Sequence, residues 1–220
     1  MHFLSGPARA ALFALALANA ACAIATPATL EFEKVFSAAK EPATLHYQAV
    51  YEDSRGRHEL EVWREGQHRL RRRTDHALDV LAVRDADGEM RLTVLDHNRR
   101  IRTDISRSSL YRIGQFTDWF GLAHGVRKPA ATYVLTRLAH ASGSEAPAMP
   151  CRWYALESGD QKSSICWSNS YGLPIAINDA GGHARWKILA VESGALFPSQ
   201  FQVGDAGYIR VNADEDIQAD

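Results

Sequence analysis

The sequence lacks an excess of charge of either sign. Its 25 Lys and Arg residues are balanced by 26 Asp and Glu residues, for a formal net charge of −1 over 220 residues. Proteins that hold nucleic acid present a basic face to the phosphate backbone, so no nucleic-acid partner is expected. After residue 25 the sequence also lacks any apolar run near the roughly 20 residues of a membrane-spanning helix. The 46% of hydrophobic residues is suited instead to a packed core.

The common signatures of catalysis are absent too. The sequence contains no G-x-S-x-G, H-E-x-x-H, G-x-G-x-x-G, P-loop or C-x-x-C pattern. The Asp-His pairs at residues 75–76 and 96–97 fall in predicted turns, where adjacent side chains point apart, so we interpret them as solvated residues and not as metal ligands. His124 follows an aromatic helix face and is interpreted as a partner of the helix C-terminus. We predict no catalytic residue, no metal site and no cofactor.

Residues 1–25 have the pattern of an export signal. A single charged residue, Arg9, precedes the apolar stretch 10–18 and a series of small residues with A-x-A spacing. This order is typical of a secretory signal peptide. Cleavage after Ala20 or after Ala25 fits the spacing equally well. The mature protein is therefore expected in the periplasm.

Cysteine is rare, with three residues in the chain. Cys22 allows a second interpretation, a lipid anchor, but Asn19-Ala20-Ala21 before it lacks the large aliphatic residue of a lipoprotein signal, so cleavage without lipidation is favoured. Cys151 and Cys166 would then remain as a pair in an oxidising compartment, the usual setting for a structural disulfide. Their spacing fits two adjacent strands of a hairpin.

The hydrophobic pattern alternates between helical spacing and a period of two. Apolar residues at helical spacing predict a helix over residues 30–40 and a second one from Ser106 to about Gly125. Between them, and again after the second helix, short alternating segments are separated by polar turns. The predicted strands lie at residues 45–51, 60–64, 68–73, 78–83, 91–95, 101–105, 133–138, 152–156, 163–167, 175–178, 184–191 and 200–203.

This order of elements predicts a mainly β, α+β fold. No βαβ alternation occurs, so the sheet should be antiparallel. We expect a curved half-barrel of about 11 strands, covered by two or more helices, in a single domain over residues 26–210, followed by a frayed acidic tail at 211–220. A curled sheet under apolar helices encloses a cavity, which is where apolar ligands bind.

The element order resembles the superfamily of periplasmic lipoprotein carriers, LolA and LolB, with the related regulator RseB (MucB). The segments that carry the resemblance are a helix leading into residues 45–48, a charged second strand at 59–64, and Gly172-Leu173-Pro174 entering a strand after Cys166-Trp167. The cysteine pair and the tryptophan-rich strands depart from the carriers. The resemblance implies a lid of helices over an apolar cavity that holds acyl chains or lipoprotein segments. In the carriers an arginine on an early strand contacts the lid, and both Arg64 and Arg69 fit that description.

Three functions follow as hypotheses. The first is a non-enzymatic periplasmic protein that binds an acyl chain, a lipid or a lipoprotein segment. The second is an RseB-like module that senses envelope stress or binds an inner- or outer-membrane protein, and the third is an enzyme with an unrecognised site. The arginine run at residues 69–73 is suited to phosphate or lipid headgroups, but it also fits a solvated outer face or a protected edge of the sheet, the interpretation favoured here. Seven residues are expected to line or cover the cavity: Leu45, Tyr47, Trp63, Leu110, Ile113, Trp119 and Phe120.

Overall fold

One curved sheet of 12 strands, which does not close into a barrel, forms the body of the protein. The computed structural model describes residues 29–113, 118–141, 147 and 149–213, without the side chains of 111–113. The predicted fold class is confirmed, with 12 described strands in place of about 11. The strands are β1 (Thr44–Asp53), β2 (Gly56–Glu65), β3 (Arg69–Thr74), β4 (Leu78–Arg84), β5 (Met90–Asp96), β6 (Ile101–Ile105), β7 (Val134–Arg137), β8 (Arg152–Ser158), β9 (Gln161–Ser168), β10 (Leu173–Asp179), β11 (Ala184–Glu192) and β12 (Ile209–Asn212).

The spatial order of the strands is β12-β6-β5-β4-β3-β2-β1-β11-β10-β9-β8-β7. Two meanders, β1 to β6 and β7 to β11, are joined where β1 pairs with β11, so that Tyr47 faces Val191. Every described pairing is antiparallel except that of β12 with β6. Short polar turns make the meanders, as at the β1–β2 hairpin, where Gly56 has a φ of 126° that a residue with a side chain rarely adopts.

Three short helices are described: α1 (Phe32–Val35), α2 (Arg107–Ile113) and α3 (Trp119–His124). The helix predicted over residues 30–40 is wrong in length. Phe36 leaves helical geometry with φ −95° and ψ 70°, and its ring packs edge-on against Trp167. No helix within the described ranges is long and apolar enough to span a membrane.

The single helix predicted from Ser106 to Gly125 is also wrong, because α2 and α3 are separate. Asp118 has extended backbone geometry immediately before α3, and residues 114–117 lie outside the described part of the chain. The predicted end is correct: Gly125 adopts a left-handed conformation with φ 71° and terminates α3.

The C-terminal region differs from the prediction. In place of a strand at 200–203 there is a 3-10 helix, Pro198–Phe201, because the Phe201 side chain is buried and lies under the Arg69 guanidinium. Val211 and Asn212, assigned to the tail by the sequence pattern, belong to β12. Residues 214–220 lie outside the described part, as does the predicted signal peptide.

The two faces of the sheet are covered differently. The helix-covered face carries alternate residues such as Leu45, Tyr47 and Val62, which pack beneath α2 and α3 in one apolar cluster. A second cluster on the same side contains Phe32, Phe36, Leu135, Tyr154, Ile165, Trp167 and Val126. The opposite side, called the outer face here, carries Trp63 and the odd-numbered arginines of β3, and the segment 198–212 crosses part of it.

Candidate functional site

Helix α3 is held to the helix-covered face by a buried arginine. Arg64 on β2 has no exposed surface. Its Nη1 donates to the Ala123 carbonyl at 3.3 Å and its Nη2 to the Tyr171 carbonyl at 3.2 Å. Arg72 on β3 donates to the Leu122 carbonyl at 3.5 Å. The last carbonyls of a helix are unpaired and carry partial negative charge, so the two arginines complete the C-terminal end of α3.

A carboxylate and a histidine complete this attachment. Glu41 Oε2 lies 2.9 Å from Arg64 Nη2 and 2.7 Å from His124 Nε2. His124, 2% exposed, has its Nδ1 2.9 Å from the Phe120 carbonyl. Both ring nitrogens of His124 thus have oxygen partners within the fold. We call Glu41, Arg64, Arg72 and His124 the clasp.

The sequence left two arginines, Arg64 and Arg69, as candidates for contacting a covering helix, and they differ in the structure. Arg64 reaches α3, whereas Arg69 lies on the outer face, where it pairs with Glu65 at 2.6 Å and covers the Phe201 ring. Gly172 closes the other side of the clasp: a Cβ added there would lie 2.8 Å from Glu41 Oε2. The Gly-Leu-Pro segment therefore has a local steric role, because a side chain at residue 172 would displace the Glu41 carboxylate.

The structure brings five of the seven predicted ligand residues beneath or into α2 and α3. Leu45, Tyr47, Leu110 and Trp119 are buried in the first apolar cluster. Phe120 packs against the second, with its ring 6.5 Å from that of Phe32. Burial raises the pKa of the Tyr47 hydroxyl, against opposing effects of Arg72 and Arg64. Four of the five are buried in the core, and Phe120 is half-buried.

Of the other two predicted residues, one lies on the opposite face of the sheet and the other has a side chain outside the described part of the chain. Trp63 lies on the outer face, because it pairs with His46 and not with Leu45 or Tyr47. Its ring stacks on the His46 ring at 5.2 Å. Ile113 ends α2, and its side chain lies outside the described part of the chain.

A cleft opens beside the start of α3. It has a volume of about 320 Å³ and reaches the aromatic pair of α3 from the surface. Both polar and apolar residues line it. They include Gln67, Arg84, Met90, Asp118, Trp119, Phe120 and His124.

The outer face holds a buried charge network that the sequence pattern did not reveal. Arg71, interpreted as solvated, is buried and binds Asp79 through Nη2 at 2.6 Å. Its Nη1 donates to the Gln200 and Gln202 carbonyls. His97, also interpreted as a solvated turn residue, lies 2.9 Å from Asp79 and 2.7 Å from the Tyr208 hydroxyl. The interpretation failed because the covering segment comes from the far end of the chain.

The disulfide between Cys151 and Cys166 is confirmed, with a Cα–Cα distance of 5.4 Å. Cys166 is fully buried against Trp153 and Ala141. Among the described residues there is no group of three or more His, Cys, Asp or Glu side chains placed to hold a metal ion.

Comparison with known proteins gives distant likenesses in fold. No protein-family profile and no curated protein sequence matches the chain. A crystal structure of MucB matches with a TM-score of 0.40 and 14% identity, over 78% of this chain and 61% of that one. A structure of PNGF-II matches with a TM-score of 0.40 and 9% identity, over 80% of this chain and 32% of that one. The chain spans less than two thirds of either, and at this level neither likeness assigns a function.

Proposed function

We propose that this protein is a non-enzymatic binding protein that takes an acyl chain, a lipid or a lipoprotein segment between α3 and the helix-covered face. The observation that carries this proposal is the way α3 is attached. Its underside is apolar, but its C-terminal end is fixed by the polar clasp, with Arg64 fully buried. A polar clasp over an apolar contact is suited to a lid that opens and closes.

The energetics of such a lid follow from its two kinds of contact. Opening α3 exposes Trp119, Leu122 and Ala123 together with the sheet residues below them. Exposed apolar surface is unfavourable in water, so the open state needs a compensating apolar ligand. The clasp gives the closed state a directional contact, because the hydrogen bonds of Arg64 form only when the Ala123 carbonyl is in place.

We also propose that the protein is exported to the periplasm. The disulfide is compatible with an oxidising compartment, and residues 1–25 have the pattern of a removable signal peptide. Intact mass spectrometry of the purified protein tests this directly. The expected mass lacks the signal peptide and two hydrogens, and a mass increased by a lipid on Cys22 would contradict the unanchored form.

A second candidate function is an RseB-like module that binds a membrane protein or senses envelope stress. The observation in its favour is the exposure of large apolar side chains outside the core. Phe197 is 70% exposed, Ile209 66% and Leu189 53%. A partner that buried any one of these side chains would gain apolar contact. A pull-down with the wild type and with Phe197→Ser tests this candidate. The wild type should retain the partner, and the Phe197→Ser variant should lose it.

The main proposal is tested by lipid binding with a matched pair of arginine variants. The probe is N-phenyl-1-naphthylamine, whose fluorescence rises in apolar surroundings, and native mass spectrometry identifies any lipid that co-purifies. Arg64→Gln removes the clasp and should raise the rate at which the probe enters. Arg69→Gln, on the outer face, should leave that rate unchanged. Absence of co-purified lipid together with absence of probe binding would contradict the proposal.

A further inference from the structure

The cleft beside the start of α3 is lined by two residues of opposite charge that have no charged partner. Residues from the β2–β3 turn, the β4–β5 hairpin and the start of α3 line it. Its volume of about 320 Å³ lies at the lower end of the range for small-molecule sites. Arg84 and Asp118 are both among its lining residues. The structure therefore places a cation and an anion at one small space.

The guanidinium of Arg84 is held in position by neutral groups. Its Nη1 donates to Gln67 Oε1 at 3.0 Å and its Nε to the Gly88 carbonyl at 3.4 Å. No carboxylate in the described part of the chain forms an ion pair with it, because Asp85, the next residue, binds Arg91 instead at 3.0 Å. The positive charge of Arg84 thus has a fixed place and no counter-charge in contact.

Asp118 carries the opposite charge. It stands at the N-cap position of α3, but its side chain makes no capping hydrogen bond. Within the described ranges its carboxylate forms no ion pair either. Arg127 lies nearby without pairing with it: a Cβ added at Gly121 would be 2.5 Å from Asp118 Oδ2 and 2.9 Å from Arg127 Nε. The carboxylate is therefore available to a donor from outside the chain.

Apolar side chains and an unpaired indole complete the cleft. Met90, Trp119 and Phe120 line it together with the two charged residues. Trp119 is 9% exposed, and its Nε1 has no hydrogen-bond partner, whereas Trp186 Nε1 donates to the Pro174 carbonyl at 2.8 Å. Buried tryptophan N–H groups ordinarily have an acceptor. An acceptor oxygen in the cleft is a candidate partner for this group.

We propose that this cleft binds a free α-amino acid with an apolar side chain. The α-carboxylate accepts hydrogen bonds from Arg84 and Trp119, and the α-ammonium group donates to Asp118. A fatty acid would leave Asp118 without a partner, and an alkylamine would leave Arg84 without one. His124, which also lines the cleft, is already paired with Glu41. The inference goes beyond the proposed function, because the cleft reaches the surface while α3 is closed.

The test is an NMR titration of the ¹⁵N-labelled protein with L-leucine. The indole N–H signal of Trp119, identified by its absence from the spectrum of Trp119→Phe, should shift saturably. N-acetyl-L-leucine lacks the ammonium group and L-leucinamide lacks the carboxylate. Each should bind at least about tenfold more weakly, the factor expected for the loss of one charged hydrogen bond. Glycine, which has no apolar side chain, should also bind more weakly than L-leucine.

Two variants connect each charged group of the ligand with its residue. Asp118→Asn retains a good N-cap residue and should weaken the binding of L-leucine about tenfold, but not that of N-acetyl-L-leucine. Arg84→Gln should weaken the binding of L-leucine to a similar extent, but not that of L-leucinamide. Arg91→Gln is the matched control, since Arg91 pairs with Asp85 and does not line the cleft. It should bind L-leucine as the wild type does.

Three results would overturn the inference. The first is the absence of a saturable shift with L-leucine in the folded protein. The second is equal affinity for L-leucine and its two derivatives, and the third is equal weakening of all three ligands by both variants, which would indicate a change in the shape of the cleft. Binding of N-phenyl-1-naphthylamine, measured on the same samples, tests the proposed function separately.

Discussion

Asp79 is the most deeply buried charge on the outer face, with no exposed surface. It accepts hydrogen bonds from Arg71 at 2.6 Å and from His97 at 2.9 Å, and Arg73 lies 3.4 Å away. Burial raises the pKa of this carboxyl, but the hydrogen bonds from Arg71 and His97 outweigh burial and hold the pKa below its usual range. The side chain therefore remains charged and joins β3, β4 and the turn after β5.

Replacing this carboxylate should be strongly destabilising. Asp79→Asn is expected to lower the free energy of unfolding by about 3 kcal/mol, because it leaves the buried Arg71 without a counter-charge. Urea denaturation at pH 7 measures the loss. Asp96→Asn is the control, since Asp96 pairs with the exposed Arg99 at 3.7 Å and should cost less than about 1 kcal/mol. Equal costs for the two variants would contradict the assigned role of Asp79.

His58 is a second residue whose charge depends on its neighbours. Its Nδ1 lies 2.6 Å from Asp75 Oδ2 and its Nε2 lies 3.0 Å from Asp53 Oδ1. The hydrogen bonds with Asp75 and then Asp53 raise the pKa of the imidazole, and His58 in turn lowers that of Asp75. A raised histidine pKa means that the charged form is favoured by folding.

The stabilisation by His58 should be present at low pH and absent at high pH. It is complete below the unfolded pKa of about 6.5 and is lost as the pH rises through the higher folded value. The difference in unfolding free energy between wild type and His58→Gln is therefore expected to be larger at pH 6 than at pH 9. Urea titrations at both values measure it. Asp75→Asn removes the main cause and should show the same trend; a difference independent of pH would be inconsistent with this account.

At the scale of elements, the disulfide links the segment before β8 to the interior of β9. The two strands already pair, with Trp153 opposite Cys166. The bond therefore fixes the register of a hairpin and adds no long-range connection. Its contribution comes mainly from the unfolded chain, where it closes a loop spanning 15 residues.

Removal of the disulfide should lower stability without changing the fold. Cys166→Ala is expected to reduce the unfolding free energy by about 3 kcal/mol on the chain-entropy account. Denaturation of the wild type with and without reductant provides the same comparison in an unaltered sequence. Far-UV circular dichroism of the folded variant should match that of the wild type. A wild-type midpoint insensitive to reductant would contradict the prediction.

The elements that the sequence predicted are those with local causes. The strands β1 to β6 alternate with a period of two and are joined by polar turns, so neighbouring residues determine them. The elements that it missed depend on distant partners. The helix over residues 30–40 shortens because Phe36 packs against Trp167, and β12 exists because β6 offers its edge to a segment about a hundred residues later.

The candidate site follows the same division: its locally determined apolar residues were predictable, and its contacts between distant segments were not. The apolar residues of α2 and α3 follow from helical spacing, and the sheet residues below them, such as Leu45 and Tyr47, follow from alternation along β1. The clasp does not, because Glu41, Arg64 and His124 come from three distant parts of the chain. The outer position of Trp63 was within reach of the sequence, since alternation along β2 separates it from Leu60 and Val62.

On the scale of the whole molecule, the two faces of the sheet have different chemistry. The helix-covered face is largely apolar, and its polar groups include the clasp at the C-terminal end of α3 and His58, which stacks on Tyr51. The outer face is charged, and the segment 198–212 covers it through Arg71, Arg102 and Asp205. The movement of α3 that we propose would leave the outer network in place, because none of the contacts of Arg71 and Arg102 given above involves α3.

The join between β1 and β11 also has a consequence for how the chain reaches this structure. Tyr47 faces Val191 across the join, whereas most other strands pair with a neighbour in sequence. Local hairpins form quickly, but bringing such distant segments together requires closing a very long loop, which slows folding. The two meanders should form first, and β1 and β11 then wait as unpaired edges in the middle of the future sheet. During that interval the molecule is most exposed to pairing with another chain.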